Sequence, residues 1–348
     1  MRNQLPATSD LLSVFDQTLV KSAMCVGVIG SRAEQLDSST SDIDLVAFIP
    51  EEKINDIKSN TYITASHGGK RVDLLVLTIP GFNSIISTPS QTSPEDTPLQ
   101  RLELIHKVVH AVPLFGEDFY SELISTFHYG HFARTLIRWY SLASLDGYDD
   151  LVGIVEDGHM VAGAASVRHI IRLGMDALLA ARGDTYPKPK WRVRRAERAL
   201  GVNSPIYLKY LDIEFHAPDK EMDKLESWIL DVLAFNRRLQ LECFFPNEIA
   251  QATEDCEHEA SDPLVYIHPW ANVFENLDQF YVKCKSQTFS IDVTSALILL
   301  TLFSPRPMSC LRLLTDSHIR TKYNKKLSSV EIDQRFELLQ TRGLIAFS

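Results

Sequence analysis

Several common functional classes leave no trace in this sequence. Its 348 residues contain no apolar run long enough to span a membrane, and the start, MRNQLPATSD, has no apolar stretch of the secretory kind. There is no glycine-rich Walker or Rossmann loop and no nucleophile turn of the Ser-His-Asp kind. The cysteines number five (Cys25, Cys243, Cys256, Cys284 and Cys310), and no pair has CxxC spacing. That pattern fits reduced thiols in a cytoplasmic protein better than a disulfide framework or a zinc knuckle. Positive charge is also short: the formal net charge is −10. Broad nucleic-acid binding is therefore not expected, although a local basic site is still allowed. Apolar residues make up 45% and charged residues 23%, an ordinary globular balance in a chain long enough for two or three domains.

What is present is concentrated first in "GVIGSRAEQLDSSTSDIDLVAFIP", residues 27–50. Residues 23–29 read as a buried strand ended by Gly30 and Ser31. After ten mostly polar residues a second strand, 42–49, opens with Asp42 and Asp44 and then runs apolar without alternation, as a strand covered on both faces does. Side chains two apart on a strand share a face. Two carboxylates about 4 Å apart repel by about 4 kcal/mol at an intermediate effective dielectric. A third acid, Asp73, sits in "KRVDLLVL", on a strand that follows a Gly68-Gly69 hairpin signal. If the two strands are neighbours, three carboxylates meet, and the natural compensation is divalent metal with oxygen ligands. Two such ions about 3.5–4 Å apart stabilise the attacking and leaving oxygens of an in-line phosphoryl displacement.

The order strand, Gly-Ser, Asp-x-Asp on the next strand and a lone Asp on a later one resembles the nucleotidyltransferase superfamily typified by DNA polymerase beta. The resemblance covers roughly the first 120 residues. It implies transfer of a nucleoside monophosphate from an NTP to a hydroxyl or similar acceptor, with release of pyrophosphate. It implies that Gly30 and Ser31 hold the triphosphate, that Asp42, Asp44 and Asp73 bind two Mg²⁺ ions, and that Asp73 is the candidate for taking the acceptor proton. "LGMDALLAARGDTYPKPKWRVRRAERALG" (173–201) and "ELIHKVVHAVPLFGED" (103–118) look like segments of the bacterial small-molecule, aminoglycoside-type branch. By that resemblance Lys190 is the candidate triphosphate contact, within a basic cluster of Lys188, Lys190, Arg192, Arg194, Arg195 and Arg198. Tyr186 and Trp191 read as packing residues. The acceptor implied is a small molecule. The alternatives are a cyclic-dinucleotide or oligonucleotide signalling synthase and nucleotidylation of a peptide or protein, and a homodimer stays open.

The expected fold is α+β. A mixed-sheet catalytic domain (1–118) precedes a helical bundle (119–245), a linker region (246–289) and a winged-helix-like module (290–348). In detail, helices are expected over 9–21, 51–58, 99–109, 117–145, 160–182, 191–200, 203–213, 219–243, 293–303 and 329–341. Strands are expected over 61–66, 70–79 and 111–115, and a surface loop over 82–98. His106 and His110, four apart, could face one metal, but neither has the Glu of a zinc-protease helix and His110 sits at the helix end, so no metal is expected there. DNA binding by the last module would need Arg320, Lys322, Lys325 and Lys326 on one face with helix 329–341.

Overall fold

A computed structural model of the chain describes residues 8–53, 61–87, 97–216, 218–219, 221–245, 263–276, 279–302, 306–323 and 326–347. The architecture is α+β and divides into two compact units. The first takes residues 1–132 together with 185–194, and the second takes 133–184 and 195–348. Among the described residues no helix is long and apolar enough to cross a membrane.

The first unit is built on a five-stranded mixed sheet. Two short helices, α1 (Thr8–Leu12) and α2 (Gln17–Ser22), precede it. One helix over 9–21 was expected. Instead the chain breaks between them, because the Asp16 carboxylate caps α2 by accepting from the Thr18 and Leu19 amides. Strand β1 (Cys25–Ile29) leads into a single helical turn, α3 (Gly30–Ala33), and β2 (Ile43–Ile49) follows the polar loop. Of the helix expected over 51–58, a 3₁₀ turn at Glu51–Lys53 is seen, and 54–58 lie outside the described residues. Strands β3 (Thr61–His67) and β4 (Lys70–Thr78) form the expected hairpin, with Gly68 and Gly69 both at positive φ. The stretch expected as a loop from 82 is instead helical at its start: α4 (Ile79–Ile86) is capped by the Thr78 hydroxyl. Its continuation, 88–96, lies outside the described residues. Helix α5 (Leu99–Val109), strand β5 (Val112–Phe115) and helix α6 (Glu117–Ile124) complete the unit.

The strand order is β3-β4-β2-β1-β5. Only β2 and β4 run parallel; the other pairs are antiparallel. One face of the sheet (Val26, Val28, Ile43, Leu45, Ala47, Val72, Leu74, Val76) packs under Leu11, Leu12, Phe15 and Leu19 of the N-terminal helices. On the other, Phe48 meets Phe82 of α4 and Tyr120 of α6, with ring centres 5.6 and 6.0 Å apart. Both faces of β2 are thus covered, which is why its sequence does not alternate.

The second unit is mostly helical. Helix α7 (Tyr129–Glu156) runs beyond the expected 145, and the expected 117–145 span is broken between α6 and α7. Helices α8 (Met160–Ala181), α9 (Arg192–Leu200), α10 (Pro205–Phe215) and α11 (Met222–Phe244) follow. Close packing of α8 on α11 depends on Gly174, where a Cβ would sit 2.2 Å from Asn236 Oδ1.

The region expected as a linker carries strands β6 (Leu264–Ile267), β7 (Ala271–Asn276), β8 (Gln279–Cys284) and β9 (Gln287–Ile291), and its acidic part, 246–262, lies outside the described residues. Strands β7, β8 and β9 form one antiparallel sheet. Helix α12 (Val293–Thr301), strand β10 (Arg306–Pro307), helices α13 (Met308–Tyr323) and α14 (Ser329–Thr341) and strand β11 (Ile345–Phe347) end the chain. The sheet here, β10-β6-β11, takes its central strand from within the expected linker. Helix α14 buries Ile332, Phe336 and Leu339. Two of its acids are engaged, Glu331 in a capping box with Ser328 and Asp333 with Arg312 at 2.7 Å. The side chains of Arg320, Lys322 and Lys325 lie outside the described residues, and Lys326 is exposed.

Gly116, at φ +74°, starts α6 directly against β1: a Cβ there would lie 2.2 Å from the Met24 carbonyl oxygen. Gly158 has a similar φ of +80° but nothing within 4 Å. Gly158→Ala should therefore cost only the left-handed backbone term, about 1–2 kcal/mol. Gly116→Ala adds a backbone collision and should cost more than about 3 kcal/mol. Urea unfolding of the two variants checks the order, and equal losses would contradict the packing.

Candidate active site

The acid cluster forms where the parallel pair begins. In the β2–β4 register Asp44 is level with Asp73, so their side chains leave the sheet on one face. Asp42 stands just before β2 and is exposed, whereas Asp44 and Asp73 are partly buried, with 26% and 13% of their side chains accessible. Three of the expected site residues are thereby brought to one end of the sheet. Gly30 joins them from β1: its φ is +71°, and a Cβ added to it would lie 2.5 Å from Asp44 Oδ2. Only glycine lets the turn come this close to the carboxylate. Ser31, next in the turn, is buried, and its carbonyl accepts from the Leu36 amide.

Each partly buried acid has a protein cation beside it. Asp73 Oδ1 accepts from Arg71 Nε at 2.9 Å and from the Thr64 hydroxyl at 2.7 Å. Thr64 sits directly across the hairpin from Asp73. Asp44 Oδ2 faces Lys107 Nζ of α5 at 3.8 Å, a loose contact, while Lys107 is held at 3.2 Å by Glu103 one turn earlier. Burial pushes the Asp44 carboxyl above its ordinary pKa; Lys107 opposes this, and Asp73, Asp42 and Glu103 add to it. Lys107 itself is held above its usual value: burial works against its charge, but Asp44 and Glu103 outweigh it. Asp44 is thus a carboxylate short of positive charge, in a set of oxygen donors that suits a hard divalent cation.

The loop that delivers Asp42 is pinned by arginines. Arg32 donates to the carbonyls of Asp42 (3.3 Å) and Ser41 (3.2 Å), and Arg194 donates to the carbonyl of Leu36 (2.7 Å). Lys190 does not join the acids directly. It is exposed, with its ammonium 5.1 Å from the centre of the Trp191 ring, and Arg194 lies 5.5 Å from the same ring. Lys188, two residues before Lys190, does reach the site wall, at 2.6 Å from Glu103. The sequence placed Lys188 in the basic cluster without a partner and gave Glu103 and Lys107 no role. The signal available was Glu103 and Lys107 at helical i,i+4 spacing. Tyr186 is buried against the His106 ring, as a packing residue. Of the basic cluster, Arg195 is buried and bound to Asp176 (2.9 Å) and Asp184 (2.8 Å), while Arg198 is exposed and also holds Asp184. Tyr62, half exposed on β3, adds an aromatic ring to the same face as Thr64.

Neither a protein-family model nor a curated protein matches the sequence. Among solved structures, a nucleotidyltransferase-like protein from Exiguobacterium sibiricum 255-15 aligns at 12% identity, covering 68% of this chain and 78% of that one with a TM-score of 0.39. A likeness of that degree bears on neither activity nor substrate.

The raised pKa of Asp44 has a stability consequence. A carboxyl whose folded pKa lies above its unfolded value stabilises the fold when protonated, and that contribution is lost as pH rises through the folded pKa. Asp44→Asn should therefore melt above the wild type at neutral pH. The gap should close as pH falls through the raised pKa of Asp44. A variant that melts lower at pH 7 would remove the strain assigned to Asp44.

Proposed function

We infer that this chain is a metal-dependent nucleotidyltransferase acting on a small-molecule hydroxyl. The observation that carries the reading is the level pairing of Asp44 and Asp73 on parallel strands, with the Gly30 turn packed against Asp44. In the reaction the acceptor oxygen attacks the α-phosphorus of an NTP. The bond to the β-phosphate oxygen breaks, and pyrophosphate leaves. Asp42, Asp44 and Asp73 are the residues that would hold Mg²⁺. When bound, that metal supplies charge neutralisation at the transferring phosphoryl group.

The remaining roles belong to the chain itself. The Gly30–Ser31 turn gives the triphosphate a close approach to the backbone. Both bonds that Asp73 accepts fall on Oδ1, which leaves Oδ2 as the oxygen to meet a metal or take the acceptor proton. Arg71 and Thr64 fix that orientation. Lys107 sits between Asp44 and Glu103 and offsets their repulsion, and Lys190 supplies a cation for the triphosphate tail.

Pyrophosphate release from the four common NTPs, with Mg²⁺ and a panel of amino sugars and other polyols, tests the reading. Asp44→Asn or Asp73→Asn should each lower the rate by more than about 100-fold, the scale of several kcal/mol of lost charge stabilisation. Undiminished turnover in either variant would end the metal assignment. Lys190→Ala should raise the apparent KM for NTP several-fold with the melting temperature unchanged. An unaltered KM would take Lys190 out of the site.

A further inference from the structure

Behind the Gly-Ser turn lies a second cluster that the transfer reaction does not use. Glu34 closes the α3 turn, its amide donating to the Gly30 carbonyl at 3.1 Å. Its Oε1 is 2.8 Å from His106 Nε2. His106 and His110 stack with ring centres 4.2 Å apart, one turn from each other on α5. Glu34, His106 and His110 present ligand atoms that all lie within 4.8 Å of one another. His106 is 2% exposed and Glu34 14%, so the cluster is largely dry. The other nitrogen of His106, Nδ1, is 3.0 Å from the Thr185 hydroxyl. Tyr186 packs on the His106 ring and Tyr129 on the edge of His110, at 5.0 and 5.4 Å.

We propose that Glu34, His106 and His110 form a binding site for a divalent transition-metal ion of the Zn²⁺ type, distinct from the acid pair. The donor set is two imidazoles and a carboxylate, which suits Zn²⁺ and its neighbours and is wrong for Mg²⁺, which demands oxygens. Three protein ligands leave a fourth position for water. Entry of the ion takes the place of the proton between Glu34 and His106 Nε2, and the neutral imidazole carries its single proton on Nδ1 instead, by tautomer exchange. With Nε2 on the ion, His106 Nδ1–H donates to Thr185. Metal-bound histidines usually have such an outer partner, which fixes the tautomer and the ring. The contact from His110 Nε2 to the same hydroxyl is long, at 3.4 Å, and its loss on metal binding costs little. Glu34 belongs to the Gly30 turn, the histidines to α5 and Thr185 to the 185–194 segment. The ion therefore ties the turn to both neighbours.

Binding is read directly, without nucleotide or Mg²⁺, so its failure is separate from any failure of the transfer reading. The full chain, stripped with chelator, is titrated calorimetrically with Zn²⁺ and separately loaded with Co²⁺ for visible absorption. One Zn²⁺ per chain is expected. Glu34→Gln, which preserves shape, and His110→Ala, at the less buried ligand, should each weaken binding more than about tenfold and lose the Co²⁺ spectrum. Asp44→Asn should retain both. Zn²⁺ should also raise the wild-type melting temperature but not that of His110→Ala. A wild-type chain that takes no Zn²⁺, or zinc lost with Asp44→Asn and kept by His110→Ala, would overturn the site.

Discussion

The parallel register of β2 and β4 sets a constraint that much of the first unit answers. It holds Asp44 level with Asp73 at the start of both strands, where neither carboxylate is fully solvated. Like charges held a few ångströms apart oppose folding by several kcal/mol unless something neutralises them. The two acids are treated differently. Asp73 is satisfied locally, by Arg71 two residues back and Thr64 across the hairpin. Asp44 has only a loose lysine, itself shared with Glu103, and stays harder to ionise than an ordinary aspartate. The asymmetry leaves one acid fixed in place and the other under-neutralised at some expense in stability.

The sheet makes this tolerable by being rigid on both sides. The N-terminal helices seal one face, while the aromatic contacts of Phe48 with α4 and α6 seal the other. Strand β2 is thus fixed along its length, and Asp44 cannot relax away from Asp73 by local fraying. Gly30 limits it from a third direction, since the Asp44 carboxylate fills the space that any side chain at position 30 would need. The polar loop between them is held by Arg32 and Arg194 through main-chain carbonyls, so Asp42 arrives in a defined place although it is exposed.

The parts of this arrangement written in local pattern were legible beforehand. The apolar run after Asp44, the Gly-Gly hairpin and the Asp-x-Asp step each follow from short-range rules, and they give the strands and the acids. The break at Asp16 was not, because a side-chain cap competing with a continuous apolar stripe looks the same as helix in periodicity. The helix at Ile79–Ile86 was hidden by Pro80 and the serines around it, yet proline is welcome in a first turn once Thr78 caps it. The strands within 264–291 were missed because the acidic stretch before them dominated the reading of the whole region. Long-range partners escaped altogether: nothing near His106 in the sequence announces Glu34, 72 residues away. Arg195 stood only as a member of the basic cluster, because its partners, Asp176 and Asp184, precede the basic run rather than alternate with it.

The segment 185–194 shows how few contacts suffice to make a remote stretch of chain part of a site. It belongs to the sheet unit although it lies more than 50 residues beyond Phe132, where the rest of that unit ends. Three side chains anchor it, and each reaches a different piece of the site wall. Thr185 meets His106, Lys188 meets Glu103, and Arg194 meets the carbonyl of Leu36. The first two are neighbours on one face of α5, and Leu36 belongs to the loop that leads to Asp42. Hydrogen bonds to charged groups are worth about 1.5–3 kcal/mol each at best, and partly exposed ones less. Two of the three contacts are of that kind, the buried Tyr186 ring adds packing against His106, and Lys190 and the Trp191 ring lie between the Lys188 and Arg194 anchors. A cation so mounted has its backbone fixed and its side chain mobile. Lys190 is thereby placed between two fixed points of the segment while its own ammonium stays exposed to solvent.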